Sequence, residues 1–347
     1  MTLKERIDSF AELGNILRKT LSGSSTEYSS EMNRLINNQQ YRNPWFTPEN
    51  VTLALKSIGD VLTFENLNKW TSDYPALDGA EPLKKVAIVM AGNIPLVGFH
   101  DFLSVLISGN GLTGKTSHRD PDLIVFIGKI LCCIEPGFSE RITFTHGLLK
   151  GFDAVIATGS NNTARYFDYY FGKYPNIIRR NRNSLAIIDG TESNEELVLL
   201  GRDIFSYFGL GCRSVSKIYF PAGYDIKNLI RHWTHYADII NHNKYGNNYD
   251  YNKAVFFVNS EEFIDTGYLL IKEDNRISSP VAVLYFEFYD SIDQAHRKIE
   301  TAKDQIQTIV GRENTRFGDA QKPELWDYAD GLDTLDFLLK KIQSGIF

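Results

Sequence analysis

Cys212 is the residue of this sequence best suited to covalent chemistry, and it lies in the stretch FGLGCRSVSK, residues 208–217. A thiolate attacks acyl carbonyls and holds the acyl group as a covalent intermediate. The flanking glycines leave room for a substrate beside the thiol, and the neighbouring Arg213 favours the thiolate. Cysteine is also often buried without a catalytic role, which is our interpretation of Cys132 and Cys133 in an apolar stretch. Taken alone, Cys212 stays open between these interpretations, since no histidine spacing indicates a base partner.

Two other stretches carry polar residues directly after predicted strands, where ligands collect in open parallel sheets. Asn93, in AGNIPL, can donate its side-chain amide to an oxyanion, or it can simply form the turn before a helix. The stretch ATGSNN contains Thr158, Gly159 and Ser160 before a predicted helix, whose first-turn amides can bind a phosphate. An ordinary strand-to-helix turn is the alternative for this second stretch.

The stretch GNGLTGKTSHRDP contains Gly109, Gly114, Lys115 and Thr116 at the spacing of a P-loop, which predicts an ATPase or kinase. The context argues against a P-loop, which follows a strand and opens a helix. Here helical spacing precedes Gly109, and Pro121 follows closely. We therefore favour a short strand, GLTGK, with a cation at its tip. The residues that would then bind a phosphate or a ribose are Lys115, Ser117, His118 and Arg119.

Short apolar runs alternate with amphipathic helical patterns from residue 86 onward, after a region of helical spacing over about residues 2–73. This alternation predicts βαβ units and a mainly parallel sheet with covered faces. The predicted strands are residues 86–90, 142–144, 154–157, 185–188, 216–220, 255–258, 281–286 and 307–310. The predicted helices between them are residues 99–107, 122–134, 162–171, 195–208, 225–241 and 292–302.

The composition is that of a globular protein of two or three domains, with 347 residues of which 43% are hydrophobic and 23% charged. The net charge of −6 gives no general attraction to nucleic acid. We predict no membrane span, because the most apolar stretch is interrupted by Asn93, His100 and Asp101. Three cysteines without ligand spacing predict neither a disulfide framework nor a metal site, and they fit a cytoplasmic protein.

In chain order, the stretches AGNIPL, GLTGKTSHRDP, VIATGSNNTARYF and FGLGCRSVSKIYFP resemble the landmarks of the aldehyde dehydrogenase superfamily. These landmarks are an asparagine turn, a lysine-containing ribose segment, a Thr-Gly-Ser phosphate turn and a nucleophilic cysteine. SSPVAVLYFEFYDSIDQAHRKI resembles the later Phe-Gly-Pro-Val segment with its helix, so the likeness covers about residues 84–302. More closely, the sequence is similar to the acyl-CoA reductase family that includes the fatty-acid reductase of bacterial bioluminescence (LuxC).

The resemblance implies an α/β, aldehyde dehydrogenase-like fold with a Rossmann-type cofactor domain, an α/β catalytic domain and a helical N-terminal segment. The implied divisions are a helical segment packed on the cofactor domain (1–80), the NADP-binding domain (81–190), the catalytic domain (191–318) and a C-terminal segment (319–347). A homo-oligomer, either a dimer or a tetramer, is implied as well.

The implied activity is reduction of a fatty acyl-CoA or an acyl-protein thioester to the aldehyde with NADPH. Cys212 would carry the acyl group, and Asn93 would donate to the oxyanion. The resemblance also gives Thr158, Gly159 and Ser160 a place along the cofactor pyrophosphate. An acyl-transferring protein partner fits this chemistry, and a non-catalytic scaffold of the same fold is the alternative.

Three departures from the superfamily pattern refine the expectation. The segment that would carry the general-base glutamate corresponds to IIRRNRNSLAII, which has none, and this favours reduction of an acyl-enzyme over its hydrolysis. His118 and Arg119 replace an acid that would hold the ribose 2′-hydroxyl, which suits a 2′-phosphate and favours NADPH over NADH. Arg276 replaces the glutamate that would hold the nicotinamide ribose, which leaves Glu273 and Asp274 as possible substitutes.

Overall fold

The computed structural model describes residues 1–79 and 83–341, and the chain divides into two compact units. The first unit comprises Met1–Arg180 together with the segment that begins at Glu324, and the second comprises Asn181–Pro323. These divisions differ from the predicted boundaries at 190 and 318. The strand that follows Asn181 pairs inside the sheet of the second unit, which moves the first boundary towards the N-terminus.

Four helices precede the first sheet, as the helical spacing of the N-terminal residues predicts. They are α1 (Leu3–Leu21), α2 (Ser29–Arg42), α3 (Pro48–Val61) and α4 (Phe64–Ser72). Local sequence signals set three of their starts: Thr2 and Glu5 form a capping box on α1, Thr47 caps α3, and Thr63 caps α4. Phe10 of α1 belongs to the same buried cluster as Ile88 in the sheet, so these helices are part of the first unit's core.

Five parallel strands form the sheet of the first unit, in the order β3-β2-β1-β4-β5. They are β1 (Lys85–Val89), β2 (Gly111–Lys115), β3 (Ile142–Thr145), β4 (Ala154–Thr158) and β5 (Asn176–Arg179). The strand order reverses between β1 and β4. The carboxyl ends of these two strands therefore flank the crevice in which open α/β sheets bind ligands.

Helices cover both faces of this sheet. α5 (Phe99–Ile107) and α6 (Leu123–Ile134) pack on the face that carries Ile88 and Leu112. On the other face, Phe167 of α7 (Asn161–Phe171) packs with Ala87, beside Phe152 from the connection between β3 and β4. That connection, residues 146–153, contains no helix in the structure, so α7 is the one helix of this face within the described residues.

The segment that follows Glu324 is fixed to the first unit by buried polar contacts. Arg179, at the end of β5, donates from Nη2 to Asp101 Oδ1 at 2.7 Å and to Thr334 Oγ1 at 2.9 Å, and from Nη1 to the Ala329 carbonyl at 2.6 Å. Thr334 begins α12 (Thr334–Asp336). The side chains of Arg179 and Asp101 are only 4% and 8% exposed, so this ion pair depends on both partners.

The second unit is built on a six-stranded sheet in the order β11-β6-β7-β10-β9-β8, in which only the β8 pairing is antiparallel. Its strands are β6 (Asn183–Ile187), β7 (Val215–Pro221), β8 (Ile264–Asp265), β9 (Leu270–Glu273), β10 (Val283–Tyr289) and β11 (Ile306–Val310). Its helices are α8 (Asn194–Phe205), α9 (Ile226–Ile230), α10 (Asn243–Val258) and α11 (Ile292–Thr301). Leu200, Ile218 and Trp233 belong to its core.

The α/β class with parallel sheets is confirmed, with one wrong element and, in the described part of the chain, three unpredicted strands and two unpredicted helices, α10 and α12. The predicted strand at 255–258 is wrong, because these residues form the last turn of α10. The strands β5, β8 and β9 were not predicted, and the predicted helix at 225–241 is α9 followed by 3₁₀ turns over Arg231–Asn241. Within residues 1–79 and 83–341, no helix combines the length and the apolarity that a bilayer crossing requires.

Candidate functional site

The carboxyl edge of the first sheet brings together three of the predicted stretches. Asn93 follows β1, Lys115 is the last residue of β2, and Thr158 is the last residue of β4. Because all five strands are parallel, these residues lie at the same edge, and β1 and β4 flank the reversal of strand order. The sequence-predicted cofactor residues therefore meet at the position that the fold favours for a ligand.

The P-loop alternative is wrong, since the structure gives Lys115 a different setting. A P-loop lysine stands on the first turn of a helix, where backbone amides surround a phosphate. Here the preceding element is α5, Lys115 ends the strand β2, and the next helix begins only at Leu123. The favoured interpretation, a short GLTGK strand with a cation at its tip, is confirmed.

The turn that follows β2 packs tightly against the turn that follows β1. A Cβ atom added to Gly92 would lie 2.5 Å from Ser117 Oγ and 3.0 Å from Arg119 Cβ, so only glycine allows this approach. Ser117 Oγ accepts from the Arg119 backbone amide at 3.2 Å, which shapes the second turn. His118 and Arg119 are exposed at its tip, and Asn93 is partly buried in the first turn.

The turn after β4 has the features of a helix start. Ser160 caps α7, and its Oγ accepts from the Thr163 backbone amide at 3.2 Å. A Cβ atom on Gly159 would lie 2.9 Å from Phe167 Cε2 and 3.0 Å from Thr163 Cβ, so a side chain at this position would push α7 away. Thr158 and Gly159 are partly buried, and Ser160 is exposed.

A histidine of this edge was missed in the sequence. His146 directly follows β3, and its Nδ1 lies 3.4 Å from Thr116 Oγ1, beside the end of β2. The sheet pairing of β2 with β3 brings His146 near Lys115 in register, because Lys115 is paired with Thr145. A histidine outside any motif gives no signal in a single sequence, and only the strand order reveals it.

Cys212 lies in the second unit, in the loop between α8 and β7. It is partly buried, three residues before β7 begins, so it sits at the amino edge of that strand. Three consecutive residues with positive φ, namely Tyr207 (53°), Phe208 (58°) and Gly209 (74°), lead into this loop. The left-handed conformation costs each non-glycine residue about 1–3 kcal/mol and persists only where the surroundings enforce it.

Side chains from distant segments hold the Cys212 loop at three consecutive residues. Ser184 Oγ of β6 donates to the Cys212 carbonyl at 2.9 Å, and Arg213 Nη1 donates to Thr308 Oγ1 at 2.9 Å. Gln321 Nε2 donates to Ser214 Oγ at 3.2 Å. Arg213 is thus engaged with β11. The thiol therefore stands on a backbone that is anchored at Cys212 itself and at the two residues that follow it.

A buried carboxylate anchors the segment that carries Gln321. Asp203 of α8 is fully buried and accepts from the backbone amides of Gly318 at 2.7 Å and Ala320 at 3.1 Å. Burial raises the pKa of Asp203 to about 6, against which these two hydrogen bonds act. The helix before the cysteine and the segment after β11 are thereby joined inside the second unit.

The acids proposed as substitutes for the missing nicotinamide-ribose glutamate differ in their surroundings. Asp274 accepts from Arg276 Nη2 at 2.6 Å and from Lys272 Nζ at 2.8 Å. Hydrogen bonding from Arg276 and Lys272 holds the pKa of the Asp274 carboxyl well below its usual range. Glu273 ends β9 and is exposed. The charge of Asp274 is therefore already paired with Lys272 and Arg276, and Glu273 is the more accessible acid.

Comparison with known proteins agrees with this architecture. Over 90% of this chain and 74% of the other, the fold matches that of aldehyde dehydrogenase 21 from Physcomitrella patens, with a TM-score of 0.63 and 13% identity. The fold is thus aldehyde dehydrogenase-like. The model of the acyl-CoA reductase (LuxC) family matches residues 18–232, more than half of the chain, and the chain belongs to that family.

Two curated relatives carry the name long-chain acyl-protein thioester reductase. The protein from Aliivibrio fischeri is 24% identical over 273 residues, which cover 72% of this chain and 54% of the relative. The second such reductase of Photobacterium leiognathi is 23% identical over 228 residues, which cover 60% of this chain and 47% of the relative. The chain therefore spans about half the length of the curated relatives it matches.

Proposed function

We propose that this protein reduces a long-chain fatty acyl thioester to the aldehyde through an acyl-enzyme on Cys212, with NADPH as the reductant. The observation that carries the proposal is the Cys212 loop, where a partly buried thiol stands on a strained backbone anchored by Ser184 and Thr308. Strain of this kind persists where function requires a fixed geometry. Membership of the acyl-CoA reductase family supports the same chemistry.

The first unit supplies residues that fit a phosphorylated nicotinamide cofactor. Lys115, Ser117, His118 and Arg119 follow one another at the end of β2 without an exposed acid among them, which suits a 2′-phosphate. His146 lies beside them and adds a second imidazole. Thr158, Gly159 and Ser160 would border the pyrophosphate at the start of α7. A bound NADPH would supply the hydride that reduces the acyl group.

The chain's own residues would carry the acyl group through the reaction. The Cys212 thiol gives up its proton, and the thiolate attacks the carbonyl carbon of the thioester. As the new carbon–sulfur bond forms, the bond to the donor sulfur breaks, and the donor leaves as a thiolate that takes up the proton. The side-chain amide of Asn93 and the backbone amide of Cys212 would donate to the oxyanion. Hydride transfer would leave the alkoxide of a thiohemiacetal on Cys212. Its collapse breaks the carbon–sulfur bond, releases the aldehyde and leaves the Cys212 thiolate, which takes up a proton from solvent. The missing glutamate between residues 175 and 188 leaves no acid there to activate water.

An intact-mass experiment tests this proposal directly. We expect incubation with palmitoyl-CoA to add one palmitoyl group to the wild type, and subsequent NADPH to remove it with release of the aldehyde. Cys212→Ala should gain no adduct, whereas Cys133→Ala, which removes an exposed cysteine of α6, should behave as the wild type. An adduct on Cys212→Ala, or a wild-type adduct that water removes as fast as NADPH does, would contradict the proposal.

Parallel arms of the same experiment address the donor and the cofactor. A palmitoyl-acyl carrier protein in place of palmitoyl-CoA distinguishes a protein-bound thioester from a free one as the preferred donor. NADH in place of NADPH tests the cation cluster at Lys115–Arg119. We expect Arg119→Ala to lower the ratio of NADPH affinity to NADH affinity by about tenfold. Cofactor binding without any adduct would instead identify a non-catalytic scaffold.

A further inference from the structure

Asp120 is a buried carboxylate with an incomplete set of partners at the ligand edge of the first unit. The residue is 5% exposed, and it follows the turn of Ser117–Arg119 at the end of β2. Its Oδ2 accepts from the Leu96 backbone amide at 2.8 Å, while its Oδ1 has no hydrogen-bond partner in the described part of the chain. A buried carboxylate is costly, so its retention at this position calls for a specific role.

Leu96 is the point at which the turn carrying Asn93 joins α5. It has a φ of 56°, although it is a bulky residue whose side chain is only 5% exposed. Its carbonyl accepts from Phe99, the first residue of α5, at 2.9 Å. The left-handed conformation of a leucine is unfavourable by about 1–3 kcal/mol, and the hydrogen bond from its amide to Asp120 helps to offset that cost.

The same two turns are also in van der Waals contact. Gly92 precedes Asn93 and leaves no space between its backbone and the side chains of Ser117 and Arg119. The contact at Gly92 sets the distance between the turns. The hydrogen bond from Leu96 to Asp120 sets the backbone conformation on the other side of Asn93. Asn93 thus stands between two fixed points, both of which lead to the turn after β2.

We propose that Asp120 is a positioning residue that fixes the side-chain amide of Asn93 for the oxyanion, by holding Leu96 in its left-handed conformation. This inference rests on the proposed function, because it assigns Asp120 an effect on the acylation of Cys212. Asp120 acts only as a hydrogen-bond acceptor in this role. An asparagine, whose side-chain oxygen can accept from Leu96, should therefore replace it, and a residue without an acceptor should not.

The test compares the rate of Cys212 acylation and the affinity for NADPH in four proteins. The wild type, Asp120→Ala, Asp120→Asn and the control Asp122→Asn are each assayed for the rate of Cys212 acylation by palmitoyl-CoA and for NADPH affinity by fluorescence. Asp122 is a matched control, because it lies two residues further on and contacts Arg42 and Gln39 rather than Leu96. Where Asp120→Ala weakens folding, Asp120→Leu keeps the number and branching of the side-chain heavy atoms and still lacks the acceptor.

We expect Asp120→Ala and Asp120→Leu to acylate at least tenfold more slowly than the wild type, since loss of one oxyanion donor costs about 10²–10³ in rate. Their NADPH affinity should change less than about threefold, because the contact at Gly92 maintains the cofactor turn. Asp120→Asn should acylate within about threefold of the wild type. Unchanged acylation in Asp120→Ala, or an Asp120→Asn protein as slow as Asp120→Ala, would overturn the positioning role while leaving the proposed function intact. A wild type that forms no adduct would overturn both.

Discussion

Because the carboxyl of Asp120 is buried, we expect the free energy of unfolding to depend on pH in a specific way. Burial raises the pKa of Asp120 to about 7 from an ordinary value of 3.8, so the folded protein binds a proton that the unfolded chain has released between these pH values. The resulting stabilisation is complete below pH 4 and is lost as the pH rises through 7. At about 1.36 kcal/mol per pKa unit, the roughly three-unit shift amounts to about 4 kcal/mol.

Asp120→Asn removes this proton equilibrium and keeps an acceptor for Leu96. We expect the variant to gain stability relative to the wild type as the pH rises from 4 to 8, by about 4 kcal/mol over the whole range. Urea unfolding followed by tryptophan fluorescence measures it, because Trp45, Trp70 and Trp326 all belong to the first unit. Asp122→Asn loses a half-exposed ion pair with Arg42, a long hydrogen bond from Gln39 and a nearby negative charge that adds to the rise of the Asp120 pKa, and it should differ from the wild type by less than about 1 kcal/mol. A stability difference between Asp120→Asn and the wild type that does not change with pH would refute the reasoning.

Two further substitutions test the framework around the site. Arg179→Met leaves Asp101 buried without its cation and should cost about 3–5 kcal/mol in urea unfolding, whereas Arg180→Met removes a 62% exposed member of a surface pair and should cost less than about 1 kcal/mol. An equal loss of unfolding free energy in the two variants would show that the buried ion pair stabilises the protein no more than the exposed one. Gly159→Ala places a Cβ atom 2.9 Å from a ring atom of α7, so we expect a thermal destabilisation of about 1–3 kcal/mol and weaker NADPH binding. Gly147→Ala, whose added Cβ would lie 3.5 Å from its one neighbour, is the stability control, and a matching loss there would contradict the steric argument.

The sequence predicted the elements well wherever an apolar helical period was bounded by turn residues. α5 was predicted from end to end, and α6, α7 and α11 within one residue at each end, because their apolar spacing and flanking turns favour a helix, although of these four only α7 has a side-chain cap. Residues 255–258 show how the method fails. Valine and phenylalanine favour strands, yet these residues end a helix that His242 caps, with Phe256 buried and Phe257 65% exposed. A four-residue window could not reveal the helical face.

The residues of the candidate site that belong to local sequence motifs could be predicted. Asn93, Lys115 and Thr158 each follow a predicted strand, and parallel pairing brings them to one edge. Asp120 and Asp203 were not predicted, because each acts on a backbone amide far away in sequence. Asp120 binds an amide 24 residues earlier, and Asp203 binds one 115 residues later. No periodicity or local motif encodes such a pair, and a single acid beside a proline or inside a helix has many ordinary explanations.

The strained backbone and the buried acids together suggest how the two candidate turns are maintained. Of the six non-glycine residues with positive φ in the described chain, Leu96 lies in the Asn93 turn, and Tyr207 and Phe208 lie in the Cys212 loop. A buried aspartate accepts backbone amides beside each, Asp120 at Leu96 and Asp203 at the segment that carries Gln321. Both carboxyls have raised pKa values, about 7 and about 6. Ionisation therefore strengthens the hydrogen bonds that hold these turns while it lowers the free energy of unfolding. A neutral side chain can still accept these hydrogen bonds, as Asp120→Asn tests, so the turns can persist through the pH range in which the free energy of unfolding falls, and thermal stability alone is a poor guide to the competence of this site.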